Sequence, residues 1–227
     1  MNILRTIQDD NLFRPFLADG KGKLKTWTNW SVALRVLYGL KLDITKHTQL
    51  VEDCTGRRIK SMPKGGFQQA LFLTGRRSGK SRIAAIIGAY ESCLSGREKT
   101  LAAGELGLVA VVAPSKKQGR IVKTYLRAIF TQTPLLRTQV VRETAEGFEL
   151  QNGICIEILV GDWRTIRGYS LLCCIVDEIA FMGIDSDSAV RSDTELVRAI
   201  RPALATTGGK MVCISSPYWE KGFCYRT

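Results

Sequence analysis

Short runs of mostly apolar residues are the clearest pattern in this chain. They cover residues 70–73, 107–113, 171–176 and 210–214. Uninterrupted apolar runs of this length are typical of strands that are buried on both faces, as in parallel sheets. Stretches with apolar residues at helical spacing lie between these runs, at residues 82–94 and 116–130. The alternation predicts an α/β fold with a mainly parallel sheet flanked by helices.

Helical spacing also marks the segment before the first apolar run. Trp30, Leu34 and Leu37 recur at the spacing of one helix face, which predicts a helix over residues 30–38. Thr28 or Asn29 could cap its start and Gly39 could end it.

A second leading helix is predicted from residue 44 to residue 54, where Gly56 is placed to end it. The glycine-containing residues 62–66 then form a loop. We therefore expect a short N-terminal helical segment, residues 1–60, packed on a core that comprises residues 61–227.

One hairpin is predicted in addition to the parallel strands. Residues 148–150 and 154–159 are strand-like and are separated by Asn152-Gly153, a dipeptide favoured in two-residue hairpin turns. Part of the sheet should therefore be antiparallel.

The net charge of the chain points to a polyanionic partner. Lys and Arg number 33 against 21 Asp and Glu, which gives +12 at pH 7. Such an excess attracts nucleic acids by long-range electrostatics and counterion release, although a solvated basic surface is the alternative. The basic residues are concentrated in residues 21–25, 57–64, 116–123 and 191–201.

Cysteine and histidine usage excludes several kinds of site. Seven cysteines without a C-x-x-C pair indicate reduced thiols that serve as small core residues in a cytosolic protein. A single histidine, His47, argues against a histidine-based metal site or a Ser-His-Asp triad. No run of about 18 apolar residues exists, so we expect no membrane span.

A glycine-rich loop follows the first predicted strand and opens a helix. It reads Thr74-Gly75-Arg76-Arg77-Ser78-Gly79-Lys80-Ser81. In such a P-loop, or Walker A motif, the main-chain N–H groups and the lysine bind nucleotide phosphates, and the serine hydroxyl ligates Mg²⁺. The usual spacing has glycine where this chain has Thr74, so the loop is a variant of the motif.

Two adjacent carboxylates, Asp177 and Glu178, close the third apolar run. Buried carboxylates at a strand end are costly unless a cation compensates them. In a Walker B motif the first carboxylate holds Mg²⁺, which we expect of Asp177. Glu178 is then placed to orient or deprotonate the attacking water.

Other polar residues lie at neighbouring positions. Arg76 and Arg77 lie inside the P-loop, and Ser215-Ser216 follow the fourth apolar run, where a hydroxyl-rich γ-phosphate sensor is expected. Arg164 and Arg167 precede the third run.

Taken in order, these motifs resemble the ATPase domain of tailed-phage large terminases, the motors that pump DNA into procapsids. The residues that carry the resemblance span about 65% of the chain and are residues 75–81, 112–115, 166–168, 175–181 and 214–217. The resemblance implies an additional-strand P-loop NTPase fold of the RecA-like class.

The family's residue roles extend to matching positions of this chain. The resemblance implies an arginine finger at Arg76, a trans-acting arginine at Arg167 and a coupling motif at Ser215-Ser216. The family also has a glutamine that contacts adenine. Its counterpart in this chain is not determined, and Gln49, Gln68 and Gln69 are the candidates.

The family's partners and cofactors are implied in the same way. They are ATP with Mg²⁺, double-stranded DNA, a portal protein and a small terminase subunit, acting as a homo-oligomeric ring in the cytoplasm of an infected bacterium. Large terminases also carry a nuclease domain, which we do not expect in this chain.

Two other functions compete with a packaging motor. One is a helicase-like or remodelling ATPase that acts on nucleic acid. The other is a non-enzymatic DNA-binding or assembly module with an inactive nucleotide site. Intact Lys80, Ser81, Asp177 and Glu178 argue against the second.

Overall fold

A computed structural model describes residues 1–160, 169–183 and 192–218. The chain divides into two compact units, Met1–Gln69 and Ala70–Thr227. In the described residues, no helix is both long and apolar enough to cross a bilayer.

The first unit is helical. Its α-helices are α1 (Ile3–Gln8), α2 (Arg14–Leu17), α3 (Thr28–Tyr38) and α4 (Ile44–Thr55), and short 3₁₀ helices lie at Lys25–Trp27 and Ile59–Ser61. Val32 of α3, Val51 of α4 and Ile59 form a small buried cluster. Leu34 and Leu37 are also buried, as the helical spacing predicts.

The ends of α3 and α4 confirm most of the predicted boundaries. Gly39 and Gly56 follow the two helices in the left-handed conformation, with φ of 61° and 63°. The predicted N-terminal cap of α3 is wrong, because the helix begins at Thr28 itself. A preceding 3₁₀ turn leads into it, so Trp27 occupies the cap position, and its side chain does not cap the helix.

The second unit contains a seven-stranded sheet among the described residues. The strands are β1 (Gln69–Leu73), β2 (Gly107–Ala113), β3 (Val140–Glu143), β4 (Gly147–Leu150), β5 (Ile154–Val160), β6 (Ser170–Asp177) and β7 (Lys210–Ser215). Their order across the sheet is β1-β7-β6-β2-β5-β4-β3. The pairs β7·β6, β6·β2 and β2·β5 are parallel. The predicted mainly parallel sheet is confirmed.

Helices cover both faces of this sheet. They are α5 (Lys80–Cys93), α6 (Lys116–Gln132), the short α7 (Pro134–Arg137) and α8 (Asp193–Ala205). Cys174 and Val176 of β6 belong to the buried cluster that includes the apolar side chains of α8. Ile175, between them, packs near Gly88 of α5. Successive residues of a strand point to opposite faces, so α8 covers one face and α5 the other.

The antiparallel edge differs in detail from the prediction. β4 pairs with β5 in the register Phe148↔Ile156 and Glu149↔Cys155, which makes the connection three residues long. Gly153, with φ of 77°, takes the left-handed position that such a loop requires. β3, whose residues are mostly exposed, was not predicted; it pairs with β4 as the edge strand.

The described cysteines form no disulfide. Cys173, Cys174 and Cys213 are buried in the sheet, in agreement with the expected role of cysteine as a small core residue, whereas Cys54 is exposed. Burial raises the pKa of the Cys174 thiol to about 12, so this thiol stays protonated and unreactive.

Candidate nucleotide-binding site

The glycine-rich loop joins the end of β1 to the start of α5. Gly79 precedes the helix in a left-handed conformation, with φ of 83°, that glycine adopts without strain. Arg77 is also left-handed, with φ of 63°, which is uncommon for a residue with a side chain. These two positions turn the chain so that α5 begins at Lys80 and directs its free N–H groups towards the loop.

Thr74, which replaces the expected glycine, is tied to the rest of the loop. Its hydroxyl accepts a hydrogen bond from Ser78 Oγ at 2.9 Å. Its main-chain N–H donates to the carbonyl of Ser215 at 2.9 Å. Because Thr74 follows β1 and Ser215 ends β7, this second bond joins the two strand ends that flank the site.

Lys80 is buried and is engaged by two other segments of the second unit. Its Nζ donates to Ser216 Oγ at 2.7 Å and lies 3.1 Å from a carboxylate oxygen of Glu178. Only 9% of the lysine side chain is exposed. Little solvent screens this ion pair, so the attraction is stronger than between exposed charges.

The Glu178 carboxylate is held from the end of β7. Its Oε2 accepts the Ser216 N–H at 3.1 Å and lies 3.3 Å from Ser215 Oγ. Glu178 follows β6 in a left-handed conformation, with φ of 52°. Non-glycine residues in this region cost about 1 kcal/mol or more and persist when their surroundings hold them, which is common at functional sites.

Asp177 is the last residue of β6 and is fully buried. Within the described residues, neither of its carboxylate oxygens has a hydrogen-bond partner of good geometry. Burial, and next the neighbouring charge of Glu178, raise its pKa to about 7 from 3.8, while the charge of Lys80 acts in the opposite direction. A buried carboxylate without a partner is destabilising in the protein alone and is suited to a cation.

The donor set fits a magnesium ion that is shared with a phosphate ligand. Magnesium takes oxygen ligands, retains waters and is held in such sites by one or two carboxylates together with substrate phosphates. Asp177 offers an unpaired carboxylate, and Ser81 offers a partly exposed hydroxyl in the first turn of α5. In the part of the chain that is described, no cluster of three His, Cys, Asp or Glu side chains could hold a metal by itself.

The structure thus brings together residues that are far apart in the chain. Lys80, Glu178, Ser215 and Ser216 are in direct contact. Arg76 lies in the loop with an exposed side chain. The predictions for Arg164 and Arg167 lie outside the described residues.

Two contacts of the segment after β6 were not predicted. One is the ion pair between Lys80 and Glu178. The other is the bond from the Ala180 N–H to Ser215 Oγ, at 3.1 Å. Sequence offers no signal for the second, because any residue other than proline at position 180 would supply the same main-chain donor.

Exposed cations lie at the same edge of the sheet. Only Pro114 and Ser115 separate β2 from α6, so the start of α6 lies near the carboxyl end of β2. Lys116, Lys117 and Arg120 are exposed there, and no ion pair with an acidic side chain is found for them among the described residues. Lys123, further along α6, is instead paired with Glu143.

The order β1-β7-β6 defines the class of fold. A strand inserted between the one that precedes the glycine-rich loop and the one that ends in acidic residues is the arrangement of additional-strand P-loop NTPases. No model of a known protein family and no curated protein sequence matches the chain.

The solved structures that resemble this one include three of phage large terminases. The HK97 bacteriophage large terminase is 17% identical with a TM-score of 0.49, over 83% of this chain and 37% of that one. The Thermus phage P74-26 large terminase ATPase domain is 19% identical with a TM-score of 0.46, over 82% and 69%. A mutant of that domain is 19% identical with a TM-score of 0.48, over 83% of this chain and 70% of the mutant domain.

These proteins are of the family that the sequence motifs resemble. The chain spans little more than a third of the length of the HK97 protein.

Proposed function

We propose that the protein hydrolyses ATP in a magnesium-dependent reaction at the carboxyl edge of its sheet. The observation that carries this proposal is the convergence of Lys80, Asp177 and Glu178. A buried lysine at the start of a helix contacts one carboxylate, and the adjacent carboxylate is buried with no partner in the described residues. A cation for phosphate, a ligand for a metal and a base for water are thereby present in one place.

Each residue has a role in this scheme. The Walker A residues from Thr74 to Ser81 surround the phosphates with main-chain N–H groups, and Lys80 binds the β- and γ-phosphates. Asp177 of the Walker B pair and Ser81 hold Mg²⁺, which supplies charge neutralisation to the transferring phosphoryl group. Glu178 orients the attacking water and accepts its proton.

The ion pair of Lys80 with Glu178 adds a condition for activity. Nucleotide phosphates and Glu178 compete for the same ammonium group. When phosphate takes Lys80, one oxygen of Glu178 loses its cationic partner and becomes available to water. Nucleotide binding and activation of the base are therefore coupled through one side chain.

Arginines would complete the charge stabilisation of the transition state. Arg76, exposed in the loop, is our candidate for a finger that acts within the subunit, and Arg167 for one that acts on a neighbouring subunit in a ring. An arginine on the γ-phosphate is worth about 10³-fold or more in rate.

We propose that hydrolysis drives the movement of double-stranded DNA into a procapsid, with a portal protein and a small terminase subunit as partners in the host cytoplasm. The net charge of +12 supports a polyanionic partner. The exposed cations at the start of α6 add a basic surface at the edge of the sheet that carries the nucleotide site.

Phosphate release by the purified protein tests the proposed activity. We expect turnover with ATP and Mg²⁺, stimulation by duplex DNA at low salt and loss of turnover in EDTA. A strand-displacement assay separates the alternatives, because a helicase-like enzyme would unwind a partial duplex and a packaging motor would not. Absence of turnover under all these conditions would favour the non-enzymatic DNA-binding module.

A further inference from the structure

The Ser215 hydroxyl is buried and is surrounded by hydrogen-bonding groups of the protein. Ser215 is the last residue of β7 and is fully buried. Its Oγ accepts the Ala180 N–H at 3.1 Å, which fixes the direction of the oxygen lone pair. Its contacts are therefore on the segment that follows β6, which is the segment that carries Glu178.

The single proton of this hydroxyl has two acceptors within reach. One is Glu178 Oε2 at 3.3 Å and the other is the Ser216 carbonyl at 3.0 Å. A bond to an ionised carboxylate is stronger than one to a neutral carbonyl, so the proton goes to Glu178 when that residue carries its charge. The distance of 3.3 Å is long for a hydroxyl donor, which leaves room for the bond to tighten.

Glu178 has few other constraints. Its main chain is in the costly left-handed conformation, and its side chain has only Lys80 and the Ser216 N–H as further partners among the described residues. If phosphate takes Lys80, the two donors at the end of β7 are what remains to hold the carboxylate. One of these is a main-chain group and the other is the Ser215 hydroxyl.

We propose that Ser215 is a positioning residue that holds Glu178 in the orientation needed to activate water, rather than a group that contacts the γ-phosphate. The hydroxyl accepts a hydrogen bond from the Ala180 N–H and donates one to the Glu178 carboxylate. It therefore fixes the position of the carboxylate relative to the turn after β6. The inference rests on the proposed ATPase activity and assigns to Ser215 a role that is exerted through another side chain.

The variant Ser215→Ala separates positioning from binding. We expect kcat for ATP to fall about tenfold, because a hydrogen bond to a charged group is lost. The affinity for a fluorescent ATP analogue should stay within about twofold of the parent value, since the hydroxyl does not touch nucleotide. Ser215→Thr, which keeps the hydroxyl, should recover most of the rate.

A matched control is available in the same unit. Ser92 is also a fully buried serine, and its hydroxyl bonds to the carbonyl of Gly88 within α5. Ser92→Ala should leave kcat unchanged, although it too removes a buried hydroxyl. Thermal unfolding of every variant shows whether a lost rate reflects a lost fold.

A double-mutant cycle gives the decisive result. If Ser215 acts through Glu178, then adding Ser215→Ala to Glu178→Gln should not lower the residual rate further. If the two losses multiply, or if Ser215→Ala weakens analogue binding tenfold, Ser215 acts on nucleotide directly and the proposal is wrong.

The proposed activity and the proposed role can fail separately. A parent protein that does not hydrolyse ATP overturns the ATPase assignment. A parent that hydrolyses ATP and a folded Ser215→Ala that matches its rate overturn only the positioning role. If Ser215→Thr does not fold, the double-mutant cycle of Ser215→Ala with Glu178→Gln still shows whether Ser215 acts through Glu178.

Discussion

At the scale of single residues, the site contains a buried carboxylate that destabilises the folded protein, and a bound cation would offset this cost. Asp177 is buried without a hydrogen-bond partner in the described residues, next to a second carboxylate. Two carboxylates therefore share a poorly solvated strand end, where the charge of Lys80 and, to a smaller extent, the main chain of Glu178 favour the ionised form of Asp177. Such destabilisation is common where function sets the residue type.

Replacement of Asp177 should therefore affect stability and activity in opposite directions. Asp177→Asn removes a buried charge, so we expect the free energy of unfolding without metal to rise by on the order of 1 kcal/mol. Magnesium-dependent ATP hydrolysis should be lost. Denaturant unfolding in EDTA checks the first expectation. Asp53→Asn, at an exposed position, is the control and should change stability by less than about 0.5 kcal/mol.

Unchanged or lower stability of Asp177→Asn would mean that the aspartate has a compensating partner in the folded protein. In that case Asp177 would not be the preferred metal ligand.

Sequence points to candidate residues for this site more readily than to the contacts between them. Spacing alone points to Lys80, Ser81, Asp177 and Glu178, because a loop after one strand and carboxylates after another must meet at one sheet edge. It does not reveal that Lys80 pairs with Glu178, because that depends on side-chain directions set by tertiary packing. The bond between Thr74 and Ser78 was also not foreseen, although it explains how threonine is accommodated in place of glycine.

At the scale of elements, α6 has an unusual distribution of charge. Its first turn contains Lys116 and Lys117 and no acidic residue, and Arg120 follows. Cations at the positive end of a helix dipole cost roughly 0.3–1 kcal/mol each. Ser115 caps the helix by accepting the Gln118 N–H, but it brings no negative charge. A bound polyanion would remove this cost.

The double variant Lys116→Glu/Lys117→Glu tests that interpretation. We expect the free energy of unfolding to rise by about 1 kcal/mol, because the new charges suit the helix dipole. Duplex DNA affinity should fall, and the slope of log K against log salt should become shallower by about 2. Thermal unfolding and DNA titrations at several salt concentrations measure both effects.

Lys21→Glu/Lys23→Glu is the matched control, because it changes the net charge equally at exposed positions of the first unit. An equal loss of DNA affinity in both double variants would show that net charge alone governs binding. The start of α6 would then have no particular role.

The accuracy of the predicted elements follows their burial. β2 was predicted with its observed bounds and β6 within a residue at each end, because both are continuous apolar runs with no alternative structure. The strand ends that flank the hairpin connection were predicted correctly at Leu150 and Ile154, but the turn was predicted to be of the two-residue type, since Asn152-Gly153 fits both that turn and a three-residue loop that ends in glycine. β3 was missed because an exposed edge strand carries no apolar signal.

At the scale of the whole molecule, strand order explains how the end of β7 contacts two other parts of the candidate site. β7 lies between β1 and β6, so its end at Ser215 and Ser216 reaches both the glycine-rich loop and Glu178. The pattern of apolar runs alone does not give this order, which only the resemblance implies, because β7 is the last of the described strands along the chain and lies second in the sheet. Under the proposed function, a change at the phosphates would reach three adjacent strands through these contacts.

The proposed ring can be tested by mixing two inactive variants. Arg167→Ala should retain a sound nucleotide site and Glu178→Gln should retain its arginine, so each alone should be nearly inactive. If Arg167 serves the neighbouring subunit, mixing them should restore part of the phosphate release, increasingly so at higher protein concentration. Mixed assemblies that form without recovery would exclude a trans-acting Arg167 and make Arg76 the better candidate for the catalytic arginine.

If Lys80, Asp177 and Glu178 form a site that hydrolyses ATP, the variant Glu178→Gln should separate binding at that site from hydrolysis. Binding of a fluorescent ATP analogue and release of phosphate are measured on the same preparation of Glu178→Gln, with Lys80→Ala beside it. We predict that Glu178→Gln binds the analogue at least as well as the parent and loses turnover by about 10²-fold or more. Lys80→Ala should lose both properties. Hydrolysis by Glu178→Gln at the parent rate would contradict the account.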